Sequence, residues 1–119
     1  MKQILLDSTQ LSAQLNHLNS ALENPWEVVD QKLHKTFVLK NFIQAFGFMT
    51  QCAIAAEKMN HHPQWSNVYK TVEINLTTHE SGGITTLDFE LAQRMEQFSG
   101  DPRDGGGRET QDAKADDPN

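Results

Sequence analysis

Between Glu57 and Asp88 the chain concentrates groups that can move protons. The run Glu57-Lys-Met-Asn60-His61-His62-Pro63-Gln-Trp65-Ser-Asn67-Val-Tyr69 is followed by Thr77-Thr78-His79-Glu80 and then by Asp88. Histidine has an ordinary pKa of about 6.5, so it gives or takes a proton near neutrality. His61, His62 and His79 therefore suggest proton-transfer chemistry. A metal site is a second reading. Glu57 and His61 sit four apart, on one face if a helix extends that far, and with His62 and His79 they would supply enough ligands for zinc. Against it, neither an HExxH motif nor a Cys-x-x-Cys pair is present. The third reading is hydrogen-bonded or surface histidines with no chemistry.

The flanking residues have similar double readings. Trp65 and Tyr69 are core or interface aromatics, or walls of a pocket for a flat heterocycle. Asp88 is a helix-start residue, or a carboxylate that orients a histidine. Gly82 and Gly83 suit a turn and are too few, and wrongly spaced, for a phosphate-binding loop. No serine has a triad-like setting.

These groups depend on the elements that carry them. Leu11, Leu15, Leu18 and Leu22 recur at helical spacing, with Ser8 or Thr9 as the cap and an end near Asn24-Pro25. Residues 26–29 are β-prone, and residues 33–40 read as a strand with Leu33, Phe37 and Leu39 on one face. Asp30-Gln-Lys32 is short enough for a hairpin. Residues 41–59 form the strongest helix. Its stripe is Phe42, Phe46, Met49, Ala53 and Ala56, widened almost all round by Ile43, Phe48, Cys52, Ile54 and Ala55. Pro63 then pushes His62 toward an extended conformation. Residues 68–77 read as a half-buried strand with Val72, Ile74 and Leu76 inward, and a short strand at Ile84 is expected after the Ser81-Gly82-Gly83 turn. Thr85-Thr-Leu-Asp88 is a capping box with Asp in the fourth place, opening a helix with Leu87, Leu91, Met95 and Phe98 on one face. This order predicts an α+β fold with helices on one face of an antiparallel sheet.

Composition narrows the function classes. The 119 residues suit one domain and carry a net charge of −6, with the ten Lys and Arg residues scattered. Direct nucleic-acid binding needs clustered cations and is not expected. The lone Cys52 reads as a small buried hydrophobe. The N-terminus turns polar too soon for a signal peptide, and no apolar run spans a membrane, so a soluble, cytoplasmic protein is expected. After Ser99 no large apolar residue occurs. Residues 1–99 are expected to form the domain and residues 100–119 a disordered acidic tail.

The ordered set Ala45-Phe-Gly-Phe-Met-Thr50, Ala56-Glu-Lys58, His61-His-Pro-Gln-Trp65, Asn67-Val-Tyr69, Thr78-His79, Gly83 and Asp88 with Ala92 resembles the pterin-4a-carbinolamine dehydratase family. In animals that family is also known as a dimerisation cofactor of a homeodomain transcription activator. The likeness is close over residues 41–96, looser back to residue 8, and absent from the tail. It implies a four-stranded antiparallel sheet with three helices packed on one face. It implies dehydration of 4a-hydroxytetrahydropterin to quinonoid dihydropterin, which recycles the cofactor of aromatic amino-acid hydroxylases. It further implies no metal, no cofactor of the enzyme's own, a homodimer or homotetramer, and a hydroxylase as a pathway partner. The family's histidines fall on His61, His62 and His79. Its substrate-contacting positions fall on Asn60, His61, His62, Thr77, Thr78, His79 and Glu80, with Glu57, Trp65 and Asp88 as supporting or pocket residues. The chain departs from many animal members in having Asn rather than Asp at position 60, and in a shorter region near residues 29–33. Losing a hydroxyl from one atom and a proton from the neighbouring nitrogen asks for an acid and a base. His62 and His79 are assigned that pair, with His61 orienting substrate or stabilising charge. The alternatives are a non-catalytic dimerisation cofactor and a dehydratase-like role in molybdopterin metabolism.

Overall fold

A computed structural model describes residues 3–100; the expected tail beyond them lies outside the described residues. Eight elements follow one another. They are α1 (Ser8–Asn19), β1 (Glu27–Val29), β2 (Lys32–Val38), α2 (Phe42–Met59), β3 (Gln64–Val68), β4 (Thr71–Leu76), a 3₁₀ turn (His79–Ser81) and α3 (Thr86–Ser99). The four strands form one antiparallel sheet in the order β1-β2-β4-β3, so the protein is α+β.

Strand alternation builds the core. Leu33 and Phe37 of β2 and Val72, Ile74 and Leu76 of β4 are buried on one side of the sheet. They pack with Ala45, Phe48, Cys52, Ala55 and Ala56 of α2 and with Phe89, Leu91, Ala92 and Met95 of α3. Each large side chain so buried contributes about 1.5–3 kcal/mol. Lys35 shares this inward face. Its ammonium lies 2.6 Å from Glu96 Oε2 of α3, and the buried Trp26 indole donates to the same oxygen at 2.8 Å. This bond ties β2 and the chain before β1 to the helix that carries Asp88.

Four expectations need correction. The cap of α1 is Asp7, which accepts from the Gln10 amide while Gln10 accepts from the Asp7 amide, and α1 ends at Asn19 rather than near Asn24. Ile84 forms no strand. It is buried, and only a single bridge, Thr78 with Gly83, occurs beside it. The fourth strand is instead the polar segment Gln64–Val68. It turns back onto β4 through Tyr69, whose φ of 55° breaks the expected strand 68–77 into a hairpin. Finally, the inward stripe of α2 is Ala45, Phe48, Cys52, Ala55 and Ala56. Phe42, Ile43, Phe46 and Ile54 are 49%, 76%, 58% and 59% exposed. With apolar residues almost all round, periodicity could not choose between the two faces.

Candidate active site

The long helix ends in a way that splits the two adjacent histidines. Asn60 takes the left-handed conformation, φ 54° and ψ 44°, a region asparagine tolerates better than most residues. Its amide donates to Glu57 O, and the His61 amide donates to Ala56 O. That pair of bonds is the Schellman helix stop. It swings His61 inward, where it is 8% exposed, and leaves His62 outside. The helix therefore does not place Glu57 and His61 together. Glu57 accepts instead from His62 Nε2, at 2.9 Å.

His61 meets Asp88 beneath the cleft. His61 Nε2 lies 2.5 Å from Asp88 Oδ1, and Asp88 is fully buried. The other oxygen, Oδ2, accepts from the Thr78 hydroxyl at 2.8 Å and from the Thr85 amide at 2.9 Å. Three donors thus converge on one carboxylate, which is what a buried acceptor requires. The Thr85 contact is half of the capping box that starts α3. Asp88 therefore fixes a helix start and a histidine with the same side chain. Because the single proton of Thr78 is committed to Asp88, Thr85 must donate to Thr78 Oγ1 across their 2.8 Å contact.

His79 arrives from the other side through sheet register. β3 starts directly after the histidine pair, and Gln64 stands opposite Asn75 of β4. The end of β4 and the 3₁₀ turn after it therefore return alongside residues 61–63. Thr78 anchors that turn: its carbonyl accepts from the Ser81 and Gly82 amides. His79 Nε2 lies 3.0 Å from Gln64 Nε2.

The resulting cleft has a volume of about 460 Å³ and is lined by Asn60, His61, His62, Thr77, Thr78, His79 and Glu80, with Gln3, Met59 and Leu87. Asp88 and Glu57 act on it through the histidines they hold. Trp65 is not among its walls. Strand alternation turns it opposite to Gln64, half-buried against the core beside Ile74. Tyr69 sits 61% exposed in the β3–β4 hairpin. Nothing in the local sequence marks Gln64, which reaches His79, or Lys32, which bonds to Gln64 from another strand. Thr85 could have been found, because a capping box with Asp in fourth place points that Asp back at the cap residue. Among the described residues no group of three or more His, Cys, Asp or Glu side chains is placed to hold a metal ion, and no helix is long and apolar enough to cross a membrane. Cys52 lies in the core, where burial pushes its thiol pKa well up, so it offers no nucleophile.

Fold and site define a small α+β protein whose cleft holds three imidazoles, each steadied by a different side chain. A family profile described as "Pterin 4 alpha carbinolamine dehydratase" matches residues 5–98. A relative from Jannaschia sp. (strain CCS1), bearing the pterin-4-alpha-carbinolamine dehydratase name, is 53% identical over 90 residues, covering 74% of this chain and 92% of its own. One of the same name from Rhizobium johnstonii is 50% identical over 99 residues, covering 82% and 93%. A crystal structure from Brucella melitensis, titled a transcriptional coactivator/pterin dehydratase, superposes with a TM-score of 0.70 at 38% identity, covering 80% of this chain and 98% of that one. The chain belongs to the pterin 4 alpha carbinolamine dehydratase family, an enzyme family of the hydro-lyase class.

Proposed function

We propose that this protein dehydrates 4a-hydroxytetrahydropterin to quinonoid dihydropterin by histidine acid–base catalysis, recycling the cofactor of aromatic amino-acid hydroxylases. The observation that carries the proposal is the meeting of His61, His62 and His79 at one cleft. In the reaction the N–H bond next to the carbinol carbon gives up its proton. Its electrons form the C=N bond, and the C–O bond breaks as the hydroxyl leaves with a proton as water. The leaving oxygen needs a donor and the nitrogen an acceptor. We assign those tasks to His62 and His79, and the orienting of substrate to the buried, carboxylate-held His61. Asn60, Thr77, Thr78 and Glu80 form the remaining polar wall for the pterin.

In this reading residues 1–99 are the working domain, acting in the cytoplasm as a homodimer or homotetramer. The apolar outer face of α2 supports self-association, because such patches mark interfaces. The same face, with the coactivator title of the Brucella structure, favours a second reading in which the protein also acts by binding a partner. Kinetics separate the two. His62→Ala and His79→Ala should each lower kcat by about 100- to 10,000-fold, and His61→Ala should act more on KM. Wild-type turnover in all three, with circular dichroism showing a folded protein, would leave only the binding role.

A further inference from the structure

We infer that Lys32 and Gln64 are positioning residues that hold His79 as its Nδ1–H tautomer, so that it meets the substrate as a hydrogen-bond donor. The inference deepens the dehydratase reading and rests on it for the identity of the substrate group.

Lys32 Nζ lies 2.9 Å from Gln64 Oε1. An ammonium carries three donors and no acceptor, so only the amide oxygen can face it. That fixes the amide flip, which a hydrogen-bond network decides. The amide nitrogen then faces His79 Nε2 at 3.0 Å. An amide NH2 only donates, so Nε2 must accept with its lone pair. A neutral imidazole that accepts at Nε2 carries its hydrogen on Nδ1. Protonating Nε2 would set N–H against N–H, and turning the amide over would set NH2 against the ammonium.

The chain places these groups without local sequence contact. Lys32 opens β2 after a two-residue turn in which Asp30 and Gln31 both have positive φ, at 52° and 63°. Gln64 opens β3, and β4 runs between the two strands. Both side chains therefore converge over the end of β4, just before His79. His62 and Glu80, the other titratable side chains on this rim of the cleft, do not compete with Gln64 for His79 Nε2, and His62 Nε2 is turned to Glu57 instead.

The three histidines consequently differ in what they leave for a substrate. His61 and His62 each face a carboxylate through Nε2, which requires a hydrogen there and leaves Nδ1 as the other nitrogen. In their neutral forms that nitrogen is an acceptor. His79 is the reverse, with Nε2 accepting and Nδ1–H left to donate. A carbinolamine presents a leaving hydroxyl oxygen that wants a donor and an N–H that wants an acceptor. The donor side falls to His79 and the acceptor side to His62, whose Nδ1 takes the N–H proton. The departing oxygen leaves with the C–O electrons while hydrogen-bonded to His79 Nδ1–H, and the proton that His62 took from the nitrogen passes to it to form water, so both imidazoles end neutral.

Nitrogen-15 NMR of the histidine-labelled full chain, at about pH 8 so that ordinary imidazoles are neutral, reads the tautomer without turnover. Failure of this inference and failure of the dehydratase reading are therefore separate results. The wild type should show His79 with a pyrrole-type Nδ1 and a pyridine-type Nε2. Lys32→Met should release the amide flip and move His79 to a tautomer mixture, and Lys32→Arg should restore the wild-type pattern. Gln64→Glu, which presents only acceptors, should invert the pattern to Nε2–H. A wild-type His79 protonated at Nε2, or a pattern unchanged in Lys32→Met, would overturn the inference.

Discussion

Replacing Asp88 by Asn is nearly isosteric yet should disturb both the fold and the site. The two oxygens of Asp88 accept from His61 on one side and from Thr78 and Thr85 on the other. An amide can accept on only one side. If its oxygen stays toward Thr78 and Thr85, its NH2 faces His61 Nε2, and that ring must move its hydrogen to Nδ1. If its oxygen faces His61, its NH2 meets the Thr85 N–H in a fully buried place and the cap of α3 is lost. A mispaired buried donor costs about 1–3 kcal/mol, so the first arrangement wins. In it, hydrogen bonds to a charged acceptor, each about 1.5–3 kcal/mol, become neutral ones of about 0.5–1.5 kcal/mol. Relief from burying a charge offsets part of the sum. We expect a loss of about 2 kcal/mol, or roughly 10 °C in Tm for a domain this size. The functional effect comes from the tautomer. His61 would then present a donor where the wild type presents an acceptor, a change of about 1–3 kcal/mol in substrate interaction. That corresponds to a fall in kcat/KM of about 5- to 150-fold. Thermal melts followed by dehydratase kinetics below the variant's Tm test both parts. A folded Asp88→Asn protein with kcat/KM within about twofold of wild type would refute the reasoning.

Three further outcomes follow from the same structure. Lys35→Met removes the ammonium facing the buried Glu96 carboxylate and should cost about 3–5 kcal/mol in denaturant melts, while pairing it with Glu96→Leu should recover only part of that loss, because the buried Trp26 indole then loses its acceptor. If both proteins melt alike, the ion pair is not what makes Lys35 matter. Phe46→Asp with Ile54→Asp should shift sedimentation from a dimer or tetramer toward monomer, since both wild-type side chains lie on the exposed apolar face of α2; a monomeric wild type would remove this argument. Cys52 should resist thiol reagents in the native protein. Burial raises its pKa in the folded state, so the unfolded chain ionises first. Its contribution is fully present below about pH 9 and falls above it by up to about 1.4 kcal/mol per pH unit. A Cys52→Ala variant should show a weaker decline above pH 9.

How far the sequence could be read depended on how local each signal was. The capping box of α3 is a four-residue pattern and names Asp88 at once, and the alternation of Val72, Ile74 and Leu76 names β4. β3 was hidden because Gln64–Val68 is mostly polar and its hairpin turns on Tyr69, a residue with no turn preference to announce it. The buried pair Lys35 and Glu96 could not be seen, since the two residues lie far apart in the chain and each looks like solvated surface alone. The histidines were legible as chemistry but not as geometry. Adjacent residues His61 and His62 look equivalent, and only the left-handed Asn60 at the end of α2 sends one to Asp88 and the other to Glu57. Gln64 meets His79, and Lys32 meets Gln64, through sheet order, which no spacing rule reports.

The most direct test of the dehydratase reading is to generate 4a-hydroxytetrahydropterin in situ and follow its conversion to quinonoid dihydropterin with and without the full 119-residue chain. Dehydration should accelerate in proportion to protein concentration, survive EDTA and fall toward the spontaneous rate in His79→Ala. A folded wild-type protein that leaves the spontaneous rate unchanged would contradict the account.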